Sequence, residues 1–410
     1  MPEAIVAIGE SKRVVGTLRF ESDGRRQHSQ FEYADAWLKA PDRFALSPAL
    51  PLRQGGHYST GKNDKRSALS GCFADAAPDS WGRALMRKAL ADGLNEFDFL
   101  VLSDDRTRQG ALRFVGPDME PLSDLSPPIP RLVELARLRG LAQRFERDPS
   151  GAEQEARDLA GVAGSLGGAR PKANIEGEGH LWIAKFTSER DAKPVERAEV
   201  ATLKLAAMCG LRAAEARLEL AASDHPVALI RRFDRRGATR IPYISARTAL
   251  DWQSEYSGFY TDIADLIRQI SGNPIEDLHE LWRRIVFTIL VSNTDDHLKN
   301  HGFIYAGSDR WRLSPAFDIN PSPARHRVLE TGIVRGGSFD ASLGIALEAC
   351  VFFELTPQEA QRRAKTMAET LQKNWKQALR NEGASPGEIG VYADAFEHAE
   401  AEKALSLHAS

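Results

Sequence analysis

Two kinds of periodicity divide this chain. Near the N-terminus the period is two. Val14-Val15-Gly16-Thr17-Leu18-Arg19-Phe20 alternates, Glu21-Ser22-Asp23-Gly24 carries a turn signal, and Phe31-Glu32-Tyr33 resumes the alternation. That pattern predicts half-buried strands joined by a tight turn. After Pro78-Asp79-Ser80-Trp81-Gly82-Arg83 the pattern turns helical over 84–90. Prolines at 117, 121, 127, 128 and 130 mark an extended connector. Residues 132–147 then read as an amphipathic helix, and a further helix begins at 153–159.

From residue 160 the chain changes character. A glycine-rich run, Gly161 to Ile175, precedes the strand Leu181-Trp182-Ile183-Ala184-Lys185-Phe186. A helix over 195–209 follows, closed by Gly210 as its C-cap. Next come a strand at Val227-Ala228-Leu229-Ile230 and the polar run Arg231-Arg232-Phe233-Asp234-Arg235. Beyond about residue 245 the periodicity is helical, with helices near 261–271, 276–291, 357–381 and 386–405. The fold class expected is α+β, with a small strand-rich lobe preceding a large helical lobe. The divisions expected are 1–150, an α+β domain with its connector; 151–235, the small lobe; and 236–410, the large lobe.

Composition narrows the setting. The 410 residues are 42% hydrophobic and 27% charged, with a net charge of −3, values typical of a globular protein and not of a basic nucleic-acid coat. Cys72, Cys209 and Cys350 are widely separated and odd in number, so they suggest neither a zinc spacing nor a disulfide framework. The N-terminus has no basic segment before its short apolar run. No stretch reaches the ~18 apolar residues of a membrane helix. A soluble cytoplasmic protein is expected.

The chemistry concentrates in Ser292-Asn293-Thr294-Asp295-Asp296-His297-Leu298-Lys299-Asn300, directly after the apolar run Ile285 to Val291. An aspartate followed five residues later by an asparagine is the spacing of a kinase catalytic loop. There the aspartate accepts the substrate hydroxyl proton and the asparagine holds magnesium. Leu313-Ser314-Pro315-Ala316-Phe317-Asp318 then supplies a second acid where a second magnesium ligand is needed. Lys185, on a strand between apolar neighbours, could hold nucleotide phosphates or simply snorkel to water. Glu199 could pair with Lys185 or be a solvated helix charge. The glycine-rich run lacks the Gly-Lys-Ser/Thr ending of a Walker loop, yet its glycines would let backbone amides approach phosphate. A rival reading gathers Asp295, Asp296, His297 and His301 into a metal-dependent hydrolase, since the histidines have i, i+4 spacing.

In these blocks the chain resembles the HipA family of bacterial serine/threonine kinases, the toxins of HipA–HipB pairs. The N-terminal resemblance lies in Val15-Gly16-Thr17-Leu18, Phe31-Glu32-Tyr33, Leu46-Ser47-Pro48, Leu50-Pro51-Leu52 and Pro78-Asp79-Ser80-Trp81-Gly82-Arg83. The later resemblance lies in Ser165 to Lys172, Ile183 to Phe186, Arg232 to Arg235, Asn293 to Asn300 and Leu313 to Asp318. It implies a two-lobed protein-kinase-like fold behind a HipA-type N-terminal domain. It makes Asp295 the catalytic base, Asn300 and Asp318 the magnesium ligands, and Lys185 the phosphate-binding lysine. Ser165, Leu166, Gly167, Gly168 and Ala169 become the phosphate loop, Arg231, Arg232 and Phe233 the adenine hinge, and His297 and Lys299 further ATP contacts. Ser165 becomes an autophosphorylation site that expels the loop and switches the kinase off. The implied cofactors are ATP and Mg2+. The implied partners are a HipB-like helix-turn-helix antitoxin dimer, DNA only through that antitoxin, and a translation component such as an aminoacyl-tRNA synthetase as substrate. A catalytically silent corepressor is the non-enzymatic alternative. The block from Cys72 to Asp79 lacks the Leu-Leu-Pro-Glu form of the best-known branch.

Overall fold

A computed structural model describes residues 2–407, apart from 23–25, 63–66, 91–92, 124–127, 164–167, 169, 192–194, 253–257 and 325. The chain forms two compact units. The first comprises Met1–Glu189, Arg231–Gln253 and Ile304–Asp309; the second comprises Arg190–Ile230, Ser254–Phe303 and Arg310–Ser410.

In the first unit, β1 (Glu3–Ile8), β2 (Arg13–Ser22), β3 (Arg26–Tyr33), β4 (His57–Lys62) and β5 (Leu112–Val115) form one antiparallel sheet of order β4-β3-β2-β1-β5. The alternation read in the sequence becomes its inner face. Val15, Leu18, Phe20, Phe31 and Tyr33 are buried, and the Phe31 ring packs edge-on against Phe73 at 5.1 Å. Pro78-Asp79-Ser80-Trp81-Gly82-Arg83 starts the Ser80–Ala89 helix. Asp79 is its N-cap, accepting from the Gly82 amide at 2.8 Å.

β6 (Lys172–Gly177) and β7 (His180–Phe186) form a hairpin in which Lys172 lies opposite Lys185. The helices Leu135–Arg147 and Glu153–Ala163 belong to the same unit. Trp81 meets Phe145 at 5.4 Å and donates from Nε1 to the Lys172 carbonyl at 3.2 Å. The proline-to-arginine motif therefore clamps its own helix onto β6.

The second unit is built around the Pro274–Leu290 helix, buried along most of its length. The Glu196–Met208, Tyr260–Ile270 and Pro357–Asn381 helices accompany it. β8 (Ala216–Glu219) pairs antiparallel with β9 (Val227–Arg231). Gly210 closes the Glu196–Met208 helix at φ 79°, as its sequence position requires. The single helix expected over 386–405 is instead two, Pro386–Phe396 and Ala399–Leu405. His398 causes the break: buried at the junction, it caps the second helix by accepting from the Ala401 amide, and its other nitrogen faces the Leu290 carbonyl at 3.3 Å. No described helix is long and apolar enough to cross a membrane.

Candidate active site

In the second unit, buried charges hold the approach to Asp318. Asp277, on the first turn of the Pro274–Leu290 helix, receives Arg212 at 2.5 Å, Arg312 at 2.8 Å, the Ser271 hydroxyl at 2.7 Å and the Leu313 amide at 3.2 Å. Burial alone would raise the Asp277 carboxyl, but those arginines and hydrogen bonds hold it below its ordinary value. One turn on, Glu280 pairs with Arg284, whose guanidinium donates to the Ser314 carbonyl at 2.6 Å. Ala316 bonds the backbone of Arg212 and Ala214. The strand Arg310–Leu313 and the turn after it are thus fixed along several residues before the chain reaches Asp318. Asp318 itself adopts φ 55°, a left-handed conformation that aspartate tolerates better than most residues. Its Oδ1 accepts from Asn320 Nδ2 at 3.1 Å.

The catalytic-loop candidate leaves the same helix at its other end. Ser292 turns the chain at φ 52°, and its hydroxyl donates to the Ala395 carbonyl at 3.0 Å. Two bonds join this turn to the segment after Asp318: Ser322 N to Ser292 O at 3.0 Å, and Asn320 N to Asn293 Oδ1 at 3.2 Å. Beyond the turn, side chains alternate in burial from Asp295 to Asn300. The Asp295 side chain is 69% exposed. Asp296, Leu298 and Asn300 point into the unit. Leu298 packs against the backbone of Gly258, where a Cβ would collide with its methyls. Asn300 donates from Nδ2 to the Asp295 carbonyl at 2.8 Å, which fixes the orientation of the amide. The loop therefore brings Asp295 and Asn300 together, and Asn293 links it to the segment carrying Asp318. His297 and Lys299 are half-buried in the same loop.

The rival metal cluster does not form. The Asp296 carboxylate accepts from the Tyr260 hydroxyl at 2.6 Å and from the Glu330 amide at 2.9 Å. His301 is buried with Nε2 at 3.2 Å from the Asp296 carbonyl. His297 Nε2 is 3.9 Å from Asp295 Oδ1. Among the described residues no group of three or more histidine, cysteine, aspartate or glutamate side chains is placed to hold a metal. The reason is directional: Asp296 faces inward to hydrogen-bond donors while its neighbour Asp295 faces outward.

The remaining candidates divide between the units. Lys185 is half-buried on β7. Gly168 is held by its carbonyl, which accepts from Lys172 Nζ and from the Ser80 hydroxyl, both at 3.2 Å. Lys172 also pairs with Asp79 at 2.6 Å. Arg231 reaches His180 at 3.1 Å, and the Phe233 ring lies 6.0 Å from Tyr243. The Arg232 guanidinium is fully engaged with Asp234, Asn174 and the carbonyls of Thr107 and Arg108, so contact with a nucleotide at this position would come from backbone. Glu199, in the second unit, is buried inside its helix and is not a solvated charge. Ser165, Leu166, Gly167 and Ala169 lie outside the described residues. Sequence reasoning missed Asn293, Tyr260 and Thr331, each distant in the chain from the residue it bonds, and Asn320, two residues beyond the Asp318 it holds.

Comparison with known proteins settles the lineage. The HipA-like C-terminal domain family matches residues 164–375, over half of the chain, and the HipA N-terminal domain family matches residues 6–115. This chain belongs to the HipA family. Its fold matches HipA of Shewanella oneidensis, solved as a toxin–antitoxin complex of HipA, HipB and operator DNA. That match has a TM-score of 0.70 at 16% identity and covers 98% of this chain and 96% of that one. The expected two-lobed α+β kinase-like fold is therefore the fold of this HipA-family member. The candidate kinase Y4mE of Sinorhizobium fredii is 26% identical over 332 residues, covering 75% of this chain and 74% of its own length. Y4dM of the same organism, also a candidate kinase, is 33% identical over 158 residues, covering 35% of this chain and 38% of its own length.

Proposed function

We propose that this HipA-family protein is an ATP- and magnesium-dependent protein serine/threonine kinase acting as the toxin of a type II toxin–antitoxin pair. The observation that carries the reading is the loop from Asp295 to Asn300. Its aspartate faces solvent while its asparagine amide is fixed from the carbonyl of that same aspartate.

The residues fit a magnesium site in type, because the Asn300 amide oxygen and the Asp318 carboxylate are hard oxygen donors. Magnesium, when bound, neutralises charge on the transferring phosphoryl group. Asp295 orients a serine or threonine hydroxyl and takes its proton as the new O–P bond forms and ADP leaves. Lys185 and the backbone from Gly168 would hold phosphates, and the backbone of Arg231 to Phe233 the adenine. His297 and Lys299 are further nucleotide contacts in this reading. A HipB-like antitoxin dimer is the proposed partner, bringing DNA only indirectly. A translation component, such as an aminoacyl-tRNA synthetase, is the proposed substrate. Ser165 is the proposed autophosphorylation site, where about −1.5 to −2 added charges would repel ATP phosphates from the loop.

Incubation with labelled ATP and magnesium tests the reading, with intact mass as a second readout. The wild type should transfer phosphate and gain one phosphate that maps to Ser165. Asp295→Asn should lose ~10²–10⁴-fold in rate while melting at the wild-type temperature. Undiminished transfer by that variant overturns the mechanism.

A further inference from the structure

Asp296 is the residue around which the loop is assembled. Its carboxylate takes the Tyr260 hydroxyl at 2.6 Å on one oxygen, and the Glu330 and Thr331 amides at 2.9 and 3.4 Å on the other. Its carbonyl accepts from the Thr331 hydroxyl at 2.7 Å and faces His301 Nε2 at 3.2 Å. Only 1% of the residue is exposed. Its side chain and its peptide oxygen are thus gripped by three separate segments: the Tyr260–Ile270 helix, the residues that close the loop, and residues 330–331. Thr331 is itself placed by the short parallel pairing of Gly258–Phe259 with Thr331–Gly332.

The consequence falls on Asp295. Consecutive side chains of an extended segment point opposite ways, so inward fixation of Asp296 sets the outward direction of Asp295. Asp295 has its carbonyl fixed as well, by the Asn300 amide. The chain from Asp318 runs on to residues 330–331, so the stretch carrying one magnesium-ligand candidate also closes on the loop carrying the other. A displacement of ~1 Å in a reacting group can cost about 100-fold in rate.

We propose that Asp296, gripped by Tyr260 and Thr331, is a positioning residue that sets the catalytic geometry of Asp295 and Asn300. This rests on the kinase reading above. The Thr331 hydroxyl is the most specific element, because it bonds the Asp296 backbone and Thr331→Val removes that hydroxyl at nearly constant shape. Thr331→Ser restores it. Tyr260→Phe removes one donor from the carboxylate.

Two measurements on the full-length chain test the proposal. In phosphate transfer, Thr331→Val and Tyr260→Phe should lower kcat by roughly 10- to 100-fold with the KM for ATP within about twofold. Thr331→Ser should stay near wild type. A merely structural role would lower the amount of folded protein without this split or rescue. In amide hydrogen exchange, residues 292–303 should exchange ~10-fold faster in the Val and Phe variants and at the wild-type rate in the Ser variant. Unchanged exchange in the Val and Phe variants overturns the proposal, as does wild-type kcat in both. If the wild type transfers no phosphate, the kinase reading fails by itself, and the exchange data still decide whether Asp296 anchors the loop.

Discussion

Both units bury arginines against carboxylates, but the two networks do different work. In the first unit, Arg232 and Arg235 tie the segment after β9 to the loop at residues 106–110 through the carbonyls of Arg106, Thr107, Arg108 and Gly110, and Asp234 accepts from the Gly110 amide at 2.7 Å. Arg113 and Arg240 share Asp105 nearby. Burial pushes Arg108 and Arg235 down to about 10, while Arg232 and Arg235 overcome burial to hold Asp234 well below the carboxylate range. At its edge Arg240 reaches the half-exposed Glu10 at 2.9 Å. In the second unit, Asp277 and Glu280 grip Arg212, Arg284 and Arg312, and through them the strand that leads to Asp318. That network ends a few residues short of the site. Burial alone therefore does not mark function: an ionic cluster is scaffold, and the candidate chemistry lies where the chain emerges from it.

The largest effects should come from cutting each network at its centre. Removing one member of a buried pair typically costs ~3–5 kcal/mol because the other charge is left behind. Arg232→Met should fall in that range, since Asp234 is buried and the Thr107 carbonyl and the Asn174 amide oxygen lose the Arg232 donor, while the Arg108 carbonyl keeps Arg235. Asp277→Ala should lie nearer the lower end, because Arg212 and Arg312 are partly exposed and can rehydrate. The comparison sharpens in magnesium affinity. Asp277→Ala also releases the Leu313 amide, so it should weaken magnesium binding by the folded protein, measured by titration below its melting temperature. Equal magnesium affinity in wild type and Asp277→Ala would break the claimed link from network to site.

Much of this was legible in the sequence, and the exceptions have a physical pattern. Period-two alternation located β2 and β3, and the Asp295-to-Asn300 spacing located the loop, because both are local signals. Pro357 to Asn381 was readable to the residue, with Thr356 as N-cap and Pro357 in the first turn. The break at His398 was not, because the helical pattern continues across it and only a long-range contact to Leu290 seats the histidine. Arg232 was placed in an adenine hinge by the resemblance, and a run of arginines beside a strand gives no hint that Asn174 and Thr107 will surround its guanidinium. Asp296 looked like a metal ligand for the same reason. Its donors, Tyr260 and residues 330–331, lie about 35 positions away on either side.

A middle-sized effect should appear in pH dependence. Burial pushes the Asp296 carboxyl up to about 7, against the opposing bonds from Tyr260, Glu330 and Thr331. Its unfolded value is ~3.9, so the folded state holds this proton more tightly. That contribution to stability is fully present below pH ~4 and is lost as pH rises through 7. The Tyr260 hydroxyl facing it is raised well above its ordinary value by burial and stays protonated in this window. His301, facing the Asp296 carbonyl, runs the other way. Burial and Arg284 push it down to about 3, so its contribution is present above ~6.5 and declines as pH falls. Asp296→Asn removes only the first of these opposing trends. Melting temperatures at pH 5 and pH 8 should therefore show the wild type gaining more, relative to the variant, at pH 5. An identical pH difference in both proteins would mean that Asp296 is ionised throughout.

The smallest effect tests the other side of the comparison. Arg19, in the first unit like Arg232, bridges Glu3 on β1 at 3.2 Å and Glu32 on β3 at 3.7 Å. It makes as many carboxylate contacts as a network arginine, but its side chain is 37% exposed and its two glutamates are more exposed still. Water and salt screen such pairs, and each long side chain loses rotamer freedom in forming them. Arg19→Ala should therefore cost under ~1 kcal/mol, with the loss shrinking further when ionic strength rises. Urea unfolding of Arg19→Ala and Arg232→Met, each at low and at high salt, separates the two cases. Arg232→Met should keep most of its larger loss in salt, because its carboxylate is shielded from solvent. A loss in Arg19→Ala as large and as salt-resistant as that in Arg232→Met would show that burial is not what distinguishes scaffold charge from surface charge in this unit.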